Sequence, residues 1–240
     1  MLDEAALIRQ LIEAHRAGAQ NVDAAALVGV DRAAAYRVQQ AVMAGLGEQP
    51  GMLKTWTMNG DAAAAPIYAG RVGASGSLKL AAGPLAGFEV EIGFVLARDV
   101  PPGSDAATLE AAIGRRFMGM EICGTRFKDR SKADFETGLA DNMSAHGYAI
   151  GAADWTGGDP VGQPVLLTYN GTTIFEGPGK HSFGTILNSL HAYAALAEQP
   201  YPLRAGTVVT TGSLCGLVAA SGPGQAVATL GGQTVEVELV

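Results

Sequence analysis

Ten consecutive residues, Gly87-Phe88-Glu89-Val90-Glu91-Ile92-Gly93-Phe94-Val95-Leu96, restrict what this chain can fold into more than any other stretch. Phe88, Val90, Ile92 and Phe94 recur with period two, the signature of a strand with one strongly apolar face. The same alternation puts Glu89 and Glu91 together on the opposite face, with Cα atoms roughly 6–7 Å apart. Gly93 and Val95 share that face, which turns the carboxylates away from open water. Two like charges in such a setting repel each other and lose hydration, unless a cation neutralises them or one takes up a proton. A hard divalent ion answers the conflict most simply, because Mg²⁺ and Mn²⁺ prefer carboxylate oxygens.

A third carboxylate, Glu121, stands alone in the strand-like run Arg116-Phe117-Met118-Gly119-Met120-Glu121-Ile122-Cys123, and a lone buried acid needs a partner. Glu-x-Glu with a distant Glu would give three oxygen ligands and leave positions for water and substrate. The spacing fits equally well a solvated sheet face on which glutamate is ordinary.

With 240 residues the chain is expected to form one domain, residues 1–48 being a helical layer packed on the rest. Its 33 glycines suit a turn-rich β architecture. A net charge of −7 without a Lys/Arg cluster argues against a nucleic-acid or anionic-membrane surface. Cys123 and Cys215 show no paired spacing, so free thiols in a reducing compartment are expected. No apolar run is long enough to span a bilayer, and Met-Leu-Asp-Glu lacks the basic start of a signal peptide, which implies a cytoplasmic protein.

Leu7, Ile8, Leu11, Ile12 and His15 repeat at helical spacing and predict a helix ending near Gly18, with His15 packed on its apolar stripe. Asp31 caps a second helix with Ala35, Val38 and Val42 inside, ended by Gly45 or Gly47. In the β-like piece Gly51–Trp56, Lys54 is a lone lysine, either solvated at an edge or aimed at an acid or anionic ligand. Asp61–Ala65 reads as loop or lid, and Gly73–Ser77 as a turn that lacks the Lys-Ser/Thr of a phosphate loop. Ser104 is expected to cap a helix through Ile113, and 128–136 to form a loop or solvated helix. Hairpins are expected at 165–175, through Asn170-Gly171, and at 226–239, through Gly231-Gly232. Between them, Ile186, Leu187, Leu190 and Ala194 mark one more helix, and Thr207–Thr211 a strand leading into Gly212-Ser213.

The order of these pieces resembles the fumarylacetoacetate hydrolase superfamily, and within it the 2-keto-4-pentenoate hydratase and 4-oxalocrotonate decarboxylase branch. The likeness covers nearly the whole chain. It runs from Ala35-Tyr36-Arg37-Val38-Gln39 through Leu53-Lys54, Phe88–Asp99, Met120–Arg126 and Ala140-Asp141-Asn142 to Leu203–Leu214. It implies an α+β fold, a mixed β-roll or sandwich with flanking helices, and a homo-oligomer. It also implies Mg²⁺ or Mn²⁺ held by Glu89, Glu91 and Glu121. The family lysine corresponds to Lys54, the Asp-Asn pair to Asp141-Asn142, and the hydroxyl segment to Thr211-Gly212-Ser213. Two departures stand out. No acid lies in Ile67–Arg71, where Arg71 takes roughly its place, and Gly184-Thr185-Ile186-Leu187-Asn188 replaces the usual Gly-His-Pro-Leu-Asn, with His181 slightly upstream.

The expected activity is that of a lyase on a small 2-oxo or 2-hydroxydienoic acid, by hydration or decarboxylation through a metal-stabilised enolate. Lys54 would pair with the substrate carboxylate or donate a proton. Arg126 would either bind a distal carboxylate or form a structural ion pair with Asp129 or Glu136. Two alternatives use the same residues: an acylpyruvate hydrolase or tautomerase, and a binding protein with a degenerate site.

Overall fold

A computed structural model describes residues 3–27 and 29–240; Met1, Leu2 and Val28, which belong to the expected N-terminal layer, lie outside the described residues. Helix α1 (Glu4–Ala17) starts where the Asp3 side chain accepts from Ala6 N at 2.9 Å, and ends at Gly18, whose φ of 59° suits a residue without Cβ. Helix α2 (Arg32–Leu46) is capped in the same way by Asp31 and closed by Gly47. Leu7, Leu11 and Ala14 of α1 share a core with Ala34, Ala35, Val38 and Val42 of α2, as their spacing predicts. His15 is buried beside Tyr68.

Strands β1 (Pro50–Met58) and β2 (Asp61–Tyr68) form a hairpin through Asn59-Gly60, both at positive φ. The expected loop at Asp61–Ala65 is therefore a strand. Ala63 and Ala65 pack against the α1/α2 core while Ala62 and Ala64 join the main core. A strand covered on both faces shows no polar alternation, and alanine lets both layers approach closely.

Short strands β3 (Val72–Ala74) and β4 (Lys79–Leu80) lead to β5 (Leu85–Leu96), which contains the Glu-x-Glu stretch. Helix α3 (Ala106–Ala112) is capped by Asp105, one residue after the expected Ser104, and delivers the chain to β6 (Ile113–Gly124). A single 3₁₀ turn at Arg130–Lys132 precedes α4 (Phe135–Ala140); none of residues 128–136 is buried, in keeping with the expected loop or solvated helix, while Thr137 to Ala140 of α4 are buried. There follow β7 (Ala145–Asp154), the hairpin β8 (Pro164–Tyr169) and β9 (Thr172–Pro178), and α5 (Asn188–Ala194). Strands β10 (Val208–Ser213) and β11 (Val218–Ala219) precede the closing hairpin β12 (Gly224–Leu230) and β13 (Gln233–Leu239).

Among the described residues these strands make two mixed sheets. One runs β2-β1-β10-β5-β6-β7-β3, with β11 also on β5; the other runs β4-β13-β12-β8-β9. Phe88, Val90, Ile92 and Phe94 are fully buried in one core with Leu167, Ala226, Ala228, Val235 and Val237 of the second sheet. The apolar face of β5 is thus the sandwich interior. This is the expected α+β roll. No helix among the described residues is long and apolar enough to cross a membrane, and Cys123 and Cys215 are both free thiols.

The second face of β5 and β6 is kept open by glycine. A Cβ on Gly119 would lie 2.3 Å from Tyr148 Cε1 and 2.5 Å from its hydroxyl, and Tyr148 is fully buried. Gly119→Ala should therefore overpack a site that cannot relax, costing about 1–3 kcal/mol. The check is the urea midpoint, which should fall with an unchanged m-value.

Candidate active site

Antiparallel pairing sets Glu89 of β5 directly opposite Glu121 of β6, while Glu91 lies opposite Gly119. Cross-strand neighbours of like charge destabilise a sheet unless something sits between them. Lys54 supplies part of the compensation. β1 pairs in parallel with β10, and β10 pairs with β5, which carries Lys54 to the same face. Its Nζ donates to Glu121 Oε1 at 2.5 Å and to the Met143 carbonyl at 3.2 Å. On the far side of Glu91, Thr210 of β10 donates to the Glu91 carboxylate, and the Tyr148 hydroxyl lies 3.2 Å from Thr210 Oγ1.

Negative charge exceeds positive here. Burial pushes the Glu121 carboxyl up to about 7, with Glu89 adding repulsion and Lys54 offsetting part of it. Glu91 is raised well above the ordinary carboxylate range by burial and then by Glu121 and Glu89. Burial disfavours the Lys54 ammonium, but Glu121, Cys123, Glu89 and Glu91 outweigh it and hold Lys54 above its ordinary value. Glu121 Oε2 is buried without a hydrogen-bond partner among the described residues. One oxygen each of Glu89 and Glu121 and the Cys123 sulfur lie within 4.8 Å of one another. Such a donor set can hold a cation.

These groups line or underlie a cavity of about 350 Å³. Of the residues singled out in the sequence, Lys54, Glu89, Glu91 and Ser213 reach its wall, with Glu121 directly behind Lys54. The others do not line it. Arg126, expected to meet a substrate or to pair with Asp129 or Glu136, is buried and instead ion-paired through Nε to Asp141. Asp141 also accepts from Thr125 Oγ1 at 2.9 Å and from Arg126 N at 3.0 Å. Its carboxylate is therefore committed to the scaffold rather than to a ligand. Asn142 is buried, and the Thr211 hydroxyl donates to the Ile186 carbonyl at 2.6 Å.

Three wall features were not anticipated. Cys123 follows Glu121 by two residues on one strand, so alternation alone places its thiol on the same face. Trp56 and Phe135 stack at a centroid distance of 3.9 Å and form an apolar wall. Arg130 reaches the cavity from the segment expected to be solvated. His181 is buried behind Phe183 and Gly212, its Nδ1 accepting from Phe183 N at 3.2 Å.

This architecture belongs to one class: it is the mixed α+β fold of the fumarylacetoacetate hydrolase superfamily. 4-Oxalocrotonate decarboxylase from Pseudomonas putida G7, complexed with magnesium and adipate, superposes with a TM-score of 0.76 at 18% identity, over 100% of this chain and 99% of that one. Fumarylpyruvate hydrolase from Pseudomonas aeruginosa, in complex with Mn²⁺ and pyruvate, gives 0.53 at 18% identity over 75% of this chain and 78% of its own. In sequence, the likeness is to the hydratase branch. A 2-keto-4-pentenoate hydratase of Paraburkholderia phymatum is 32% identical over 143 residues, 57% of this chain and 53% of that protein. Its namesake from Burkholderia vietnamiensis is 31% identical over 151 residues, 60% and 56% respectively. The chain thus spans about half the length of the curated relatives it matches. No family model matches it.

Two buried histidines near this layer give a pH dependence. Burial, reinforced by Arg71 and Arg126, lowers His146 from 6.5 to about 3, and burial lowers His181 to about 4. Below pH 6.5 the unfolded chain binds protons that the folded chain refuses. Their contribution to stability is therefore complete above that pH and is lost as pH falls toward the folded values. Glu91 and Glu121, held above the ordinary carboxylate range, act in the opposite sense over the same window, so the histidine contribution is read by difference. Between pH 6.5 and 4 the urea midpoint of His146→Gln should fall less than that of the wild type, even though its plateau is lower.

Proposed function

We propose that this chain is a divalent-metal-dependent lyase acting on a small 2-oxo or 2-hydroxydienoic acid, by hydration or decarboxylation. The observation that carries this is the convergence of Glu89, Glu91 and Glu121, with Lys54 as their ion-paired lysine, on one cavity. The residues suit a hard dication: carboxylates opposed across two strands, and a buried Glu121 oxygen with no hydrogen-bond partner among the described residues. Glu89 and Glu121 would hold Mg²⁺ or Mn²⁺ with Glu91 beside them, and the Cys123 thiol is within reach of the same position. Bound there, the ion would supply Lewis-acid stabilisation of the enolate charge that develops on a 2-oxo acid. The 2-keto-4-pentenoate hydratases matched in sequence, and the magnesium- and manganese-bound structural relatives, support this assignment.

Lys54 stays charged at neutral pH, so it serves better as a fixed partner for the substrate carboxylate than as a base. Its bonds to Glu121 and Met143 leave one N–H free for that purpose. Ser213 holds its hydroxyl against the Gly216 carbonyl at 3.0 Å and faces the same cavity, where Ser182 adds a second hydroxyl. Gly212 takes a φ of 121° and would place a Cβ 2.8 Å from Phe183, so only glycine lets this backbone border the cavity. Trp56, Phe135 and Phe183 exclude water from the carbon skeleton of a bound acid.

Purified protein with Mg²⁺ or Mn²⁺ should change the ultraviolet absorbance of 2-hydroxypenta-2,4-dienoate or of a vinylogous 2-oxo diacid. Glu121→Gln should reduce both metal affinity and turnover by at least ~100-fold, more than is lost with an outer-sphere partner. Inactivity toward both substrates, in protein that binds the metal, would reject the lyase. Acylpyruvate cleavage without dienoate turnover would instead assign a hydrolase.

A further inference from the structure

One cation on the cavity wall has no role in the metal site or in holding the first carboxylate. Arg130 stands on the 3₁₀ turn at 130–132 and lines the cavity that holds Lys54 and Glu89. Its guanidinium is positioned by three features. Nη1 donates to the Ala133 carbonyl at 3.0 Å, and Nε donates to Ser144 Oγ at 3.3 Å. The third is a gap in α4: a Cβ on Gly138 would lie 2.0 Å from Arg130 Nη2 and 2.6 Å from Cζ. The helix thus has no side chain where the guanidinium lies.

Other arginines of this chain show what is missing. Arg32 is ion-paired with Asp61 and Glu136, Arg37 with Glu4, Arg115 with Asp154 and Arg126 with Asp141. Arg130 is half-buried and has no ion-pair partner among the described residues, and Nη2 has no acceptor there. Asp141 and Asp134 act on it only at longer range, and burial depresses its basicity. A partly desolvated guanidinium with its planar fork left open is costly unless a ligand completes it. Carboxylate is the anion whose geometry suits that fork.

Arg130 and Lys54 are also tied to successive residues of one turn. Lys54 donates to the carbonyl of Met143, and Arg130 to the hydroxyl of Ser144. Two cations fixed to the same backbone segment therefore face one cavity from different elements, β1 and the 130–132 turn.

We infer that Arg130 binds a second, distal carboxylate, so that the acid this cavity takes is a 2-oxo dicarboxylate rather than a monocarboxylate. This assignment rests on the 2-oxo acid site proposed above and adds the class of acid to it. It gives Arg130 the distal contact that Arg126, locked to Asp141, cannot make.

The test is calorimetric titration of the Mg²⁺-loaded protein with 2-oxoadipate and with 2-oxohexanoate, acids of equal chain length that differ in one carboxylate. A charge-assisted fork should favour the diacid by about 10- to 100-fold in the wild type. Arg130→Met should bring the ratio close to one, while Arg130→Lys should keep part of it as a point charge. Equal affinity for the two acids in the wild type, or a preference that survives Arg130→Met, overturns the inference and leaves the 2-oxo acid site standing. Binding of neither acid, in protein shown separately to bind Mg²⁺, removes that site and the inference together. Thermal melts of each variant establish that it is folded, and the wild-type comparison does not depend on them.

Discussion

Two carboxylates facing each other across adjacent strands, with one lysine ion-paired to the deeper of them, set the terms for everything around them. Glu89 and Glu121 are cross-strand partners, Glu91 is two residues from Glu89, and of the three glutamates Lys54 bonds Glu121 among the described residues. Left alone, this arrangement is unfavourable, since buried like charges repel and lose hydration together. It persists because the other face of the same strand is apolar. Phe88, Val90, Ile92 and Phe94 hold β5 at the middle of the sandwich, and the strand cannot turn its glutamates outward without exposing them. The hydrophobic face thus keeps in place a charge excess that a dication would relieve.

The two cations of the cavity wall, Lys54 and Arg130, come from elements distant in sequence, and a strained turn organises them. Asn142, Met143 and Ser144 all take positive φ, at 53°, 51° and 63°. Such conformations are costly for residues with a Cβ and need support from their surroundings. Arg126 and Asp141 provide it from just beside the turn. Arg126 donates to the Asp141 carboxylate and carbonyl and to the Ala145 carbonyl, so the guanidinium spans the segment. Lys54 and Arg130 then take their positions from Met143 and Ser144. A residue pair expected to touch substrate instead braces the turn that positions two cations of the cavity wall.

Several features were legible in the chain itself for identifiable reasons. Helix caps at Asp31, Gly18 and Gly47 are local chemistry, and the two closing hairpins are specified by Asn170-Gly171 and Gly231-Gly232. The glutamates of 87–96 could be placed on one face because alternation is local too. Asp61–Ala65 misled because a strand of small residues buried on both faces has no periodicity to read, although Asn59-Gly60 marked the turn before it. The segment at 128–136 is largely exposed, as its run of charges suggests. Nothing local shows that Gly138 leaves room for Arg130 or that α4 is buried.

The sequence by itself determined that β5 has one apolar and one acidic face, that Glu121 stands alone in an apolar run, and that Lys54 is an exception within an apolar strand. Period and burial are properties of neighbouring residues, so they survive without coordinates. Tertiary structure alone decided where each cation goes. Arg126 went to Asp141 and Arg130 to the cavity because partner choice depends on which side chains the packing of β1, α4 and the 142–144 turn brings within hydrogen-bond distance. No spacing along the chain encodes that.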